Sequence, residues 1–321
     1  MIIHHLAAVI LAFFLDLIIG DPPGWPHPVR WMGAIIAFLD KQLNKGNHRL
    51  EKGVVMLVVV LLIVMGATAL SVFAVYKFHP LAGIVWEGVL ISTAVAQKSL
   101  REAALAVYEP LQNGNIAEAR VKLSYIVGRD TDHLPEREIV RGTVETVAEN
   151  TSDGVTAPLF WGLLGGAVSA LAYRAVNTCD SMVGYRNQKY EKFGFASAKL
   201  DDLLNWLPSR LTAIAMLLSM KPGKVSRKQA VSIVLRDAKK HPSPNSGWGE
   251  AAFAAIFGVQ LGGTNYYKGV VSHRAKMGDP KYELQTNHII DSINLMKRSV
   301  LLFLLFLLFG GVAIEMAAAW I

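Results

Sequence analysis

Apolar runs long enough to cross a hydrocarbon layer of about 30 Å, roughly 17 to 25 residues each, recur along this chain. They lie near 2 to 19, 53 to 76, 81 to 97, 155 to 176, 203 to 220 and 299 to 319. The runs at 53 and 299 are nearly free of charge. Those at 81, 155 and 203 carry Glu87, Arg174 and Arg210, and a charge at membrane depth is costly unless it is buried in protein or solvated. About five spans are therefore expected. The run at 155 contains Gly162 and Gly165-Gly166, which would permit a re-entrant path. The first twenty residues lack a basic start and a small-residue cleavage site, so they are expected to remain in the mature chain.

Between these runs the pattern changes. Residues 98 to 153 show helical periodicity in "KSLREAALAVYEPL" and "NIAEARVKLSYIV", separated by the turn "QNGN", and predict a small polar helical cytoplasmic insertion in one membrane domain that spans 1 to 321. No segment alternates convincingly enough to predict a strand. The fold class expected is all-α: a polytopic integral membrane helical protein with a small polar helical subdomain.

Composition agrees. Of 321 residues, 52% are hydrophobic and 18% charged, and the mean hydropathy is positive, too apolar for an ordinary soluble enzyme of this length. The formal charge of +7 does not point to nucleic acid, because the Lys and Arg gather in short loops at 41 to 52, 221 to 228 and 297 to 298 without interleaved aromatics. That arrangement is the positive-inside signal and places those loops in the cytoplasm, on the inner face of a cell membrane, with the C-terminus outside. A single cysteine, Cys179, excludes an internal disulfide.

Polar residues then concentrate beside the apolar runs. In "RGTVETVAENTSDG", Arg141, Glu145, Glu149 and Asp153 recur every four residues, a spacing that stacks them on one helix face, where like charges repel by a few tenths of a kcal/mol per pair. A divalent cation would relieve that cost; a solvated helix face is the competing reading. "GDPPGWPHPVRWMG" offers His27 and Arg30 in a proline-rich turn, as substrate contacts or as an anchoring loop. "GRDTDHLPE" offers Arg129 and Asp130, as an anion contact or as a surface turn. "AYRAVNTCDSMVGYRN" places Asn177, Asp180, Tyr185 and Arg186 within a short distance, and Cys179 reads as a small buried residue. "KLDDLLNWLPSR" puts Asp201 or Asp202 on a helix face with Asn205, ahead of Pro208 and Arg210, with structural ion pairing as the competitor. "HPSPNSGWGE" presents His241 and Asn245 on a stiff loop. There is no G-x-x-x-x-G-K-[ST], no G-x-G-x-x-G on a strand and no H-E-x-x-H, so carboxylate, amide, arginine and magnesium chemistry on phosphorylated substrates is the palette that remains.

Five stretches, taken in order from about residue 15 to 270, resemble one family. They are "DLIIGDPPGWPHPVRWMG", "VGRDTDHLPEREIVRGTVETVAENTSDGVTAPLFW", "YRAVNTCDSMVGYRN", "FGFASAKLDDLLNWLPSRLTA" and "RDAKKHPSPNSGWGEAAFAAIFGVQLGG". The family is that of the membrane-bound adenosylcobinamide-phosphate synthases of cobalamin biosynthesis, CobD or CbiB. The resemblance implies a multi-pass inner-membrane ligase that joins aminopropanol phosphate, or a related amino alcohol, to the propionate carboxyl of adenosylcobyric acid, with ATP as energy source. Its partners would be the corrinoid, the amino alcohol phosphate and the bilayer, without nucleic acid; a homo-oligomer is left open.

Amide formation from a carboxylate requires that one oxygen become a leaving group, for which phosphorylation by ATP with magnesium is the natural route. On that chemistry Glu145, Glu149, Asp153 and Asp180 are the expected catalytic residues. Glu149, Asp153 and Asp202 are the expected magnesium ligands. Arg129, Asp130, Asn150, Asn177, Tyr185, Arg186, Asp202, Asn205, Arg210, His27, Arg30 and Asn245 are the expected substrate or phosphate contacts. A transporter or channel using intramembrane carboxylates is the alternative.

Overall fold

The computed structural model describes residues 2–22, 24–223 and 225–319. The chain is overwhelmingly helical: α1 (Ile2–Ile18), α2 (Pro28–Leu43), α3 (Arg49–Phe78), α4 (Pro80–Ser92), α5 (Gln97–Gln112), α6 (Ile116–Ser124), α7 (Glu136–Thr151), α8 (Ala157–Val183), α9 (Phe195–Leu204), α10 (Trp206–Ser219), α11 (Arg227–Asp237), α12 (Ser246–Phe257) and α13 (Asn287–Ala319), with two strands, β1 (Leu261–Tyr267) and β2 (Val270–Met277), before the last helix. It is a polytopic helical membrane protein. Among the described residues four helices are long and apolar enough to cross a bilayer: Arg49–Phe78, Pro80–Gln112, Glu136–Val183 and Asn287–Ala317; Ile2–Ile18 is a shorter apolar helix.

The run at 203 to 220 does not form a span. The chain breaks at Asn205, and the 14 residues of α10 rise only ~21 Å. Pro208 sits in the first turn of α10, where its missing amide costs little. The proline-rich stretch is likewise partly helical, because α2 starts at Pro28, whose fixed φ suits the first helical position.

The chain divides into two units. One comprises Met1–Ala96, Asp153–Asn205 and Leu304–Ile321, the other Gln97–Ser152 and Trp206–Phe303. The predicted polar segment thus belongs to the second unit together with the chain from Trp206 onward.

In the first unit α1 packs on α4 and α8, and α3 packs on α2, α4, α8 and α9. Gly88 lets α4 approach α1 closely: a Cβ there would lie 2.7 Å from Leu11 and 3.2 Å from the Ala8 carbonyl. The core around Met56, Val60, Leu171, Cys179 and Phe193 is apolar, and Cys179 is buried in it as expected. Within α8 the helix is interrupted at Gly165 (φ −146°, ψ 28°) and Gly166 (φ 61°, ψ −155°). The buried Glu87 carboxylate lies at that break, accepting from the Ala167 amide at 3.4 Å and from the Tyr76 hydroxyl at 3.3 Å. It supplies an acceptor for a backbone group that has no water to turn to in a membrane.

In the second unit α7 packs on α5, α6, α12 and β1, and α12 also packs on α10 and α11. The hairpin is the element the sequence pattern did not predict. Its strands are antiparallel with Tyr267 opposite Val270, and Lys268 (φ 53°) and Gly269 (φ 76°) form the two-residue connection whose left-handed backbone matches strand twist. A bulge between Leu261 and Gly263 disturbs the alternation, which is why periodicity alone misses it.

Substituting Gly166→Ala places a Cβ in a glycine-only conformation and 2.3 Å from Glu87 Oε1. A loss of about 1–3 kcal/mol or more is expected, read as a lower melting temperature in detergent. Gly310→Ala, whose Cβ would meet nothing within 4 Å, should melt like the wild type.

Candidate functional site

The second unit contains a buried cluster of charge built around one carboxylate. Glu145 Oε1 accepts from Arg141 Nη1 at 2.8 Å and from the Gly262 amide at 2.8 Å, and Oε2 accepts from Arg129 Nη2 at 2.8 Å. The Arg129, Arg141 and Glu145 side chains are 5%, 3% and 12% exposed. Asn265 Oδ1, on β1, accepts from both guanidiniums, and Arg141 also binds Glu138 through Nε and Nη2. Two cations and two anions thus share one network, dry around Glu145 and open to solvent at Glu138, whose side chain is 30% exposed. Glu145 and Arg141 are brought together by four-residue spacing on α7, whereas Arg129 arrives from the preceding loop and Asn265 from the hairpin.

Arg129 and Asp130 are adjacent yet do different things. Arg129 points inward, while Asp130 accepts from the Lys268 and Gly269 amides at 2.9 and 2.7 Å and fastens the hairpin tip. The Gly269 amide, then the Lys268 amide, hold its carboxyl below the ordinary aspartate range.

The next carboxylate of the stripe, Glu149, is in a lighter environment: its Oε1 accepts from the Ser246 hydroxyl at 2.8 Å. Ser246 opens α12, which lies close to α7 because Gly249 faces the Ala148 carbonyl, 2.7 Å from where a Cβ would stand. Asn150 uses its amide nitrogen on the Thr146 carbonyl at 2.9 Å. The four-residue register ends there. α7 gives way to a π-helical turn, Ser152–Thr156, whose wider winding changes the rotation per residue, and Asp153 falls in the first unit.

Behind Glu149 lies a second group that the sequence reading did not assemble. His241 Nε2 is 3.5 Å from Glu250 Oε1 and 3.2 Å from Arg274 Nη1, and Arg274 Nη2 donates to the Tyr267 hydroxyl at 3.0 Å. Burial pushes the Glu250 carboxyl well above its usual range, reinforced by Glu145 and Glu149. Burial lowers His241. Both shifts favour the uncharged forms. Arg210 is sandwiched between Trp206 and Trp248, 4.4 and 4.9 Å from their rings, with Asn245 Oδ1 3.3 Å from its Nη1; aromatic faces hold a guanidinium flat. On the hairpin side a cavity of about 910 Å³ is bounded by Arg137, Arg141, Gly262, Gly263, Tyr266 and Lys276, among others. That is the size of a small-molecule site.

The first unit gathers the remaining expected residues. Asn177 Nδ2 donates to Asp201 Oδ1 at 3.2 Å, Asn205 Nδ2 to Asp201 Oδ2 at 3.1 Å, and the buried Tyr173 hydroxyl to Asn205 Oδ1 at 2.8 Å and to the Asp153 carbonyl at 3.0 Å. Of the two adjacent aspartates, Asp201 carries this network; Asp202 pairs with Lys199 at 3.4 Å and lines a recess of about 310 Å³ with Tyr185 and Arg186. Asp180 accepts the Gly184 amide through its carbonyl, closing α8. His27 binds Asp21 at 2.9 Å and Arg30 Nη1 donates to the Trp25 carbonyl at 3.3 Å, so these two brace the proline-rich loop. Tyr173, Ser246, Glu250, Asn265 and Arg274 are residues the motifs did not single out, and Arg174 stood out only as a charge within an apolar run.

A polytopic helical membrane protein with dense carboxylate, amide and guanidinium chemistry beside its spans is the class these features define. The chain belongs to the CobD/CbiB family. The family model described as "CobD/Cbib protein" matches residues 9–296. The chain is 54% identical over 313 residues to a Cobalamin biosynthesis protein CobD of Halalkalibacterium halodurans, covering 97% of this chain and 98% of that one. It is 47% identical to the CobD protein of Pelobacter propionicus, with 84% of each covered. It is 44% identical to a Cobalamin biosynthesis protein CbiB of Salmonella paratyphi B, with 89% of this chain and 91% of that one covered. No solved structure matches it significantly. A role in cobalamin biosynthesis follows from this membership.

Two outcomes test the electrostatics. Glu145→Gln leaves two buried guanidiniums without their shared counter-charge and should cost about 3–5 kcal/mol, whereas Glu149→Gln, which keeps an oxygen for Ser246, should melt near wild type; thermal unfolding in detergent measures both. For Glu250 the folded pKa lies above the unfolded one, so the stability conferred by its protonated form is complete below about pH 4.3 and is lost as pH rises through the folded value. Glu250→Gln should therefore gain on the wild type progressively as pH rises above about 4.3, in melting curves at matched ionic strength, with the gap closing towards about pH 4.

Proposed function

We propose that this protein is the adenosylcobinamide-phosphate synthase of its pathway: a membrane ligase that condenses aminopropanol phosphate, or a related amino alcohol, with the propionate carboxyl of adenosylcobyric acid. The observation that carries this reading is full-length similarity to cobalamin biosynthesis proteins, joined to a site chemistry of carboxylates and guanidiniums rather than thiols or a phosphate loop. The setting is an inner membrane, in keeping with the basic short loops.

Magnesium and ATP are part of the proposal. Among the described residues no three His, Cys, Asp or Glu side chains gather as a metal cage. Magnesium delivered on nucleotide phosphates keeps water and phosphate oxygens and needs only one or two carboxylates, and Glu149, with one oxygen on Ser246, has the other to offer. Glu149 would be the carboxylate to hold it; when bound, it would offset phosphate charge. Glu145, with both oxygens occupied, instead keeps Arg129 and Arg141 in place. Arg210, held flat between two tryptophans, is positioned for a planar anion, and the cavity bounded by Arg137 and Lys276 offers volume and positive charge for one large ligand. A proton must leave the incoming amine, and His241, which burial keeps in its neutral form, would be the group to accept it.

The test is turnover. Protein in lipid nanodiscs, given adenosylcobyric acid, aminopropanol phosphate, ATP and magnesium, should form adenosylcobinamide phosphate with stoichiometric ATP consumption, and Glu149→Gln should reduce the rate by about 10² or more, as for other groups that stabilise a transferring phosphoryl. Corrinoid movement in sealed vesicles without amide formation would instead support the transporter alternative, for which the broken helix α8 is a natural feature.

A further inference from the structure

One arginine in the first unit is placed as an anion site. Arg174 lies in the helix Glu136–Val183, which is long and apolar enough to span a bilayer, where a guanidinium is expected to pair or to serve a function. Arg174 forms no salt bridge among the described residues. Its Nε is buried without a hydrogen-bond partner, and its one hydrogen bond runs from Nη1 to the Asn177 Oδ1 at a long 3.3 Å.

The reason it stays unpaired is visible three residues further on. Asn177 turns its oxygen to Arg174 and its nitrogen to Asp201 Oδ1, so a neutral amide separates a cation from a carboxylate that would otherwise attract it. The amide is locked in that orientation, since reversing it would face N–H against guanidinium and oxygen against carboxylate. Asp201 is held in turn by Asn205, whose oxygen takes the buried Tyr173 hydroxyl. The network thus holds the carboxylate back and leaves most of the guanidinium's five donors unspent. A guanidinium in this state binds the oxygens of a phosphate monoester or carboxylate bidentately.

We propose that Arg174 is the anchor for the phosphate monoester of a small phosphorylated substrate, with Asn177 as the positioning residue that keeps it from being neutralised by Asp201. This deepens the synthase reading and rests on it for the identity of the ligand: the phosphorylated amino alcohol is the small monoester in that reaction. The same chemistry occurs in an anionic lipid headgroup, so the test separates the two sources.

Full-length protein is placed in nanodiscs of phosphatidylcholine alone, or with phosphatidic acid added, and binding of radiolabelled phosphoethanolamine is measured with inorganic phosphate as competitor. In the zwitterionic discs the wild type should bind, and Arg174→Gln should weaken binding about tenfold or more, the loss of a charge-assisted pair. Asn177→Asp, nearly the same shape, puts a carboxylate directly against Arg174 and should weaken binding comparably; because it also sets a carboxylate against Asp201, binding is compared below the melting temperature of each variant and at matched monodispersity. Turnover assays should show the Asn177→Asp effect in KM for aminopropanol phosphate, with kcat changed much less. Unchanged binding in both variants would overturn the proposal, as would binding abolished by phosphatidic acid, which would assign the guanidinium to lipid. Wild-type binding through Arg174 without any amide formation would uphold the site and retire the synthase reading. Amide formation whose KM ignores Asn177→Asp would do the opposite.

Discussion

The second unit depends on one constraint: Glu145 is a carboxylate that leaves water only because two guanidiniums and a backbone amide meet it. A single ion would be prohibitive in such a place, and a simple pair would barely repay desolvation. Three donors on two oxygens change the balance, and each donor comes from a different segment. Arg129 fixes the loop before α7, Arg141 the helix itself, and Gly262 the first strand of the hairpin. The same carboxylate that reads as catalytic in sequence is therefore the point at which three pieces of backbone are registered to each other. Its neighbour on the helix, Glu149, escapes this saturation because Ser246 supplies a single hydroxyl, and chemistry requires that kind of unspent oxygen.

The first unit meets an analogous problem in backbone rather than side-chain terms. Interrupting α8 at Gly165 and Gly166 frees amides in a segment whose composition suits lipid, where each unsatisfied group costs several kcal/mol. Glu87, itself out of place in an apolar run, lies at the break and accepts one of them. Two features that look separately unfavourable in sequence, a charged residue in one run and a glycine pair in another, are one arrangement. Neither would be tolerated alone.

Much of the architecture is legible in the sequence because membrane length is a strong signal: the runs at 53 and 299 are continuous, and their helices follow them closely. The polar sites are legible as neighbourhoods but not as contacts. Periodicity places Asn205 on a face with Asp201 or Asp202 yet cannot choose between them, because the choice depends on which side of α9 meets α8. Adjacency suggests that Arg129 and Asp130 act together, whereas one is buried against α7 and the other holds the hairpin turn. The four-residue stripe holds from Arg141 to Glu149 and ends at a π-turn that no composition announces. Glu250 and Arg274 are more than a hundred residues from Glu145 in the chain, and only the packing of α12 and the hairpin brings them into its field. The hairpin itself hides behind a bulge and a Lys-Gly turn, where the chemistry is that of a type I′ connection but the alternation is too short to count.

Arg129 and Arg141 are treated in a way opposite to Arg174, and the contrast bears on which guanidiniums stay available for binding. Arg129 and Arg141 are saturated by carboxylates and Asn265, so an incoming anion would have to displace partners already made in a dry setting, a cost comparable to what it could gain. Arg174 faces an amide instead. An asparagine between arginine and aspartate accepts from one and donates to the other, holding them apart without cancelling either charge. The guanidinium then keeps the electrostatic potential that a salt bridge would have consumed. Where a protein must hold charge ready in a low-dielectric region, a neutral spacer is thus a better design than a counter-ion, because the counter-ion's attraction is greatest in the surroundings where the ligand's would be.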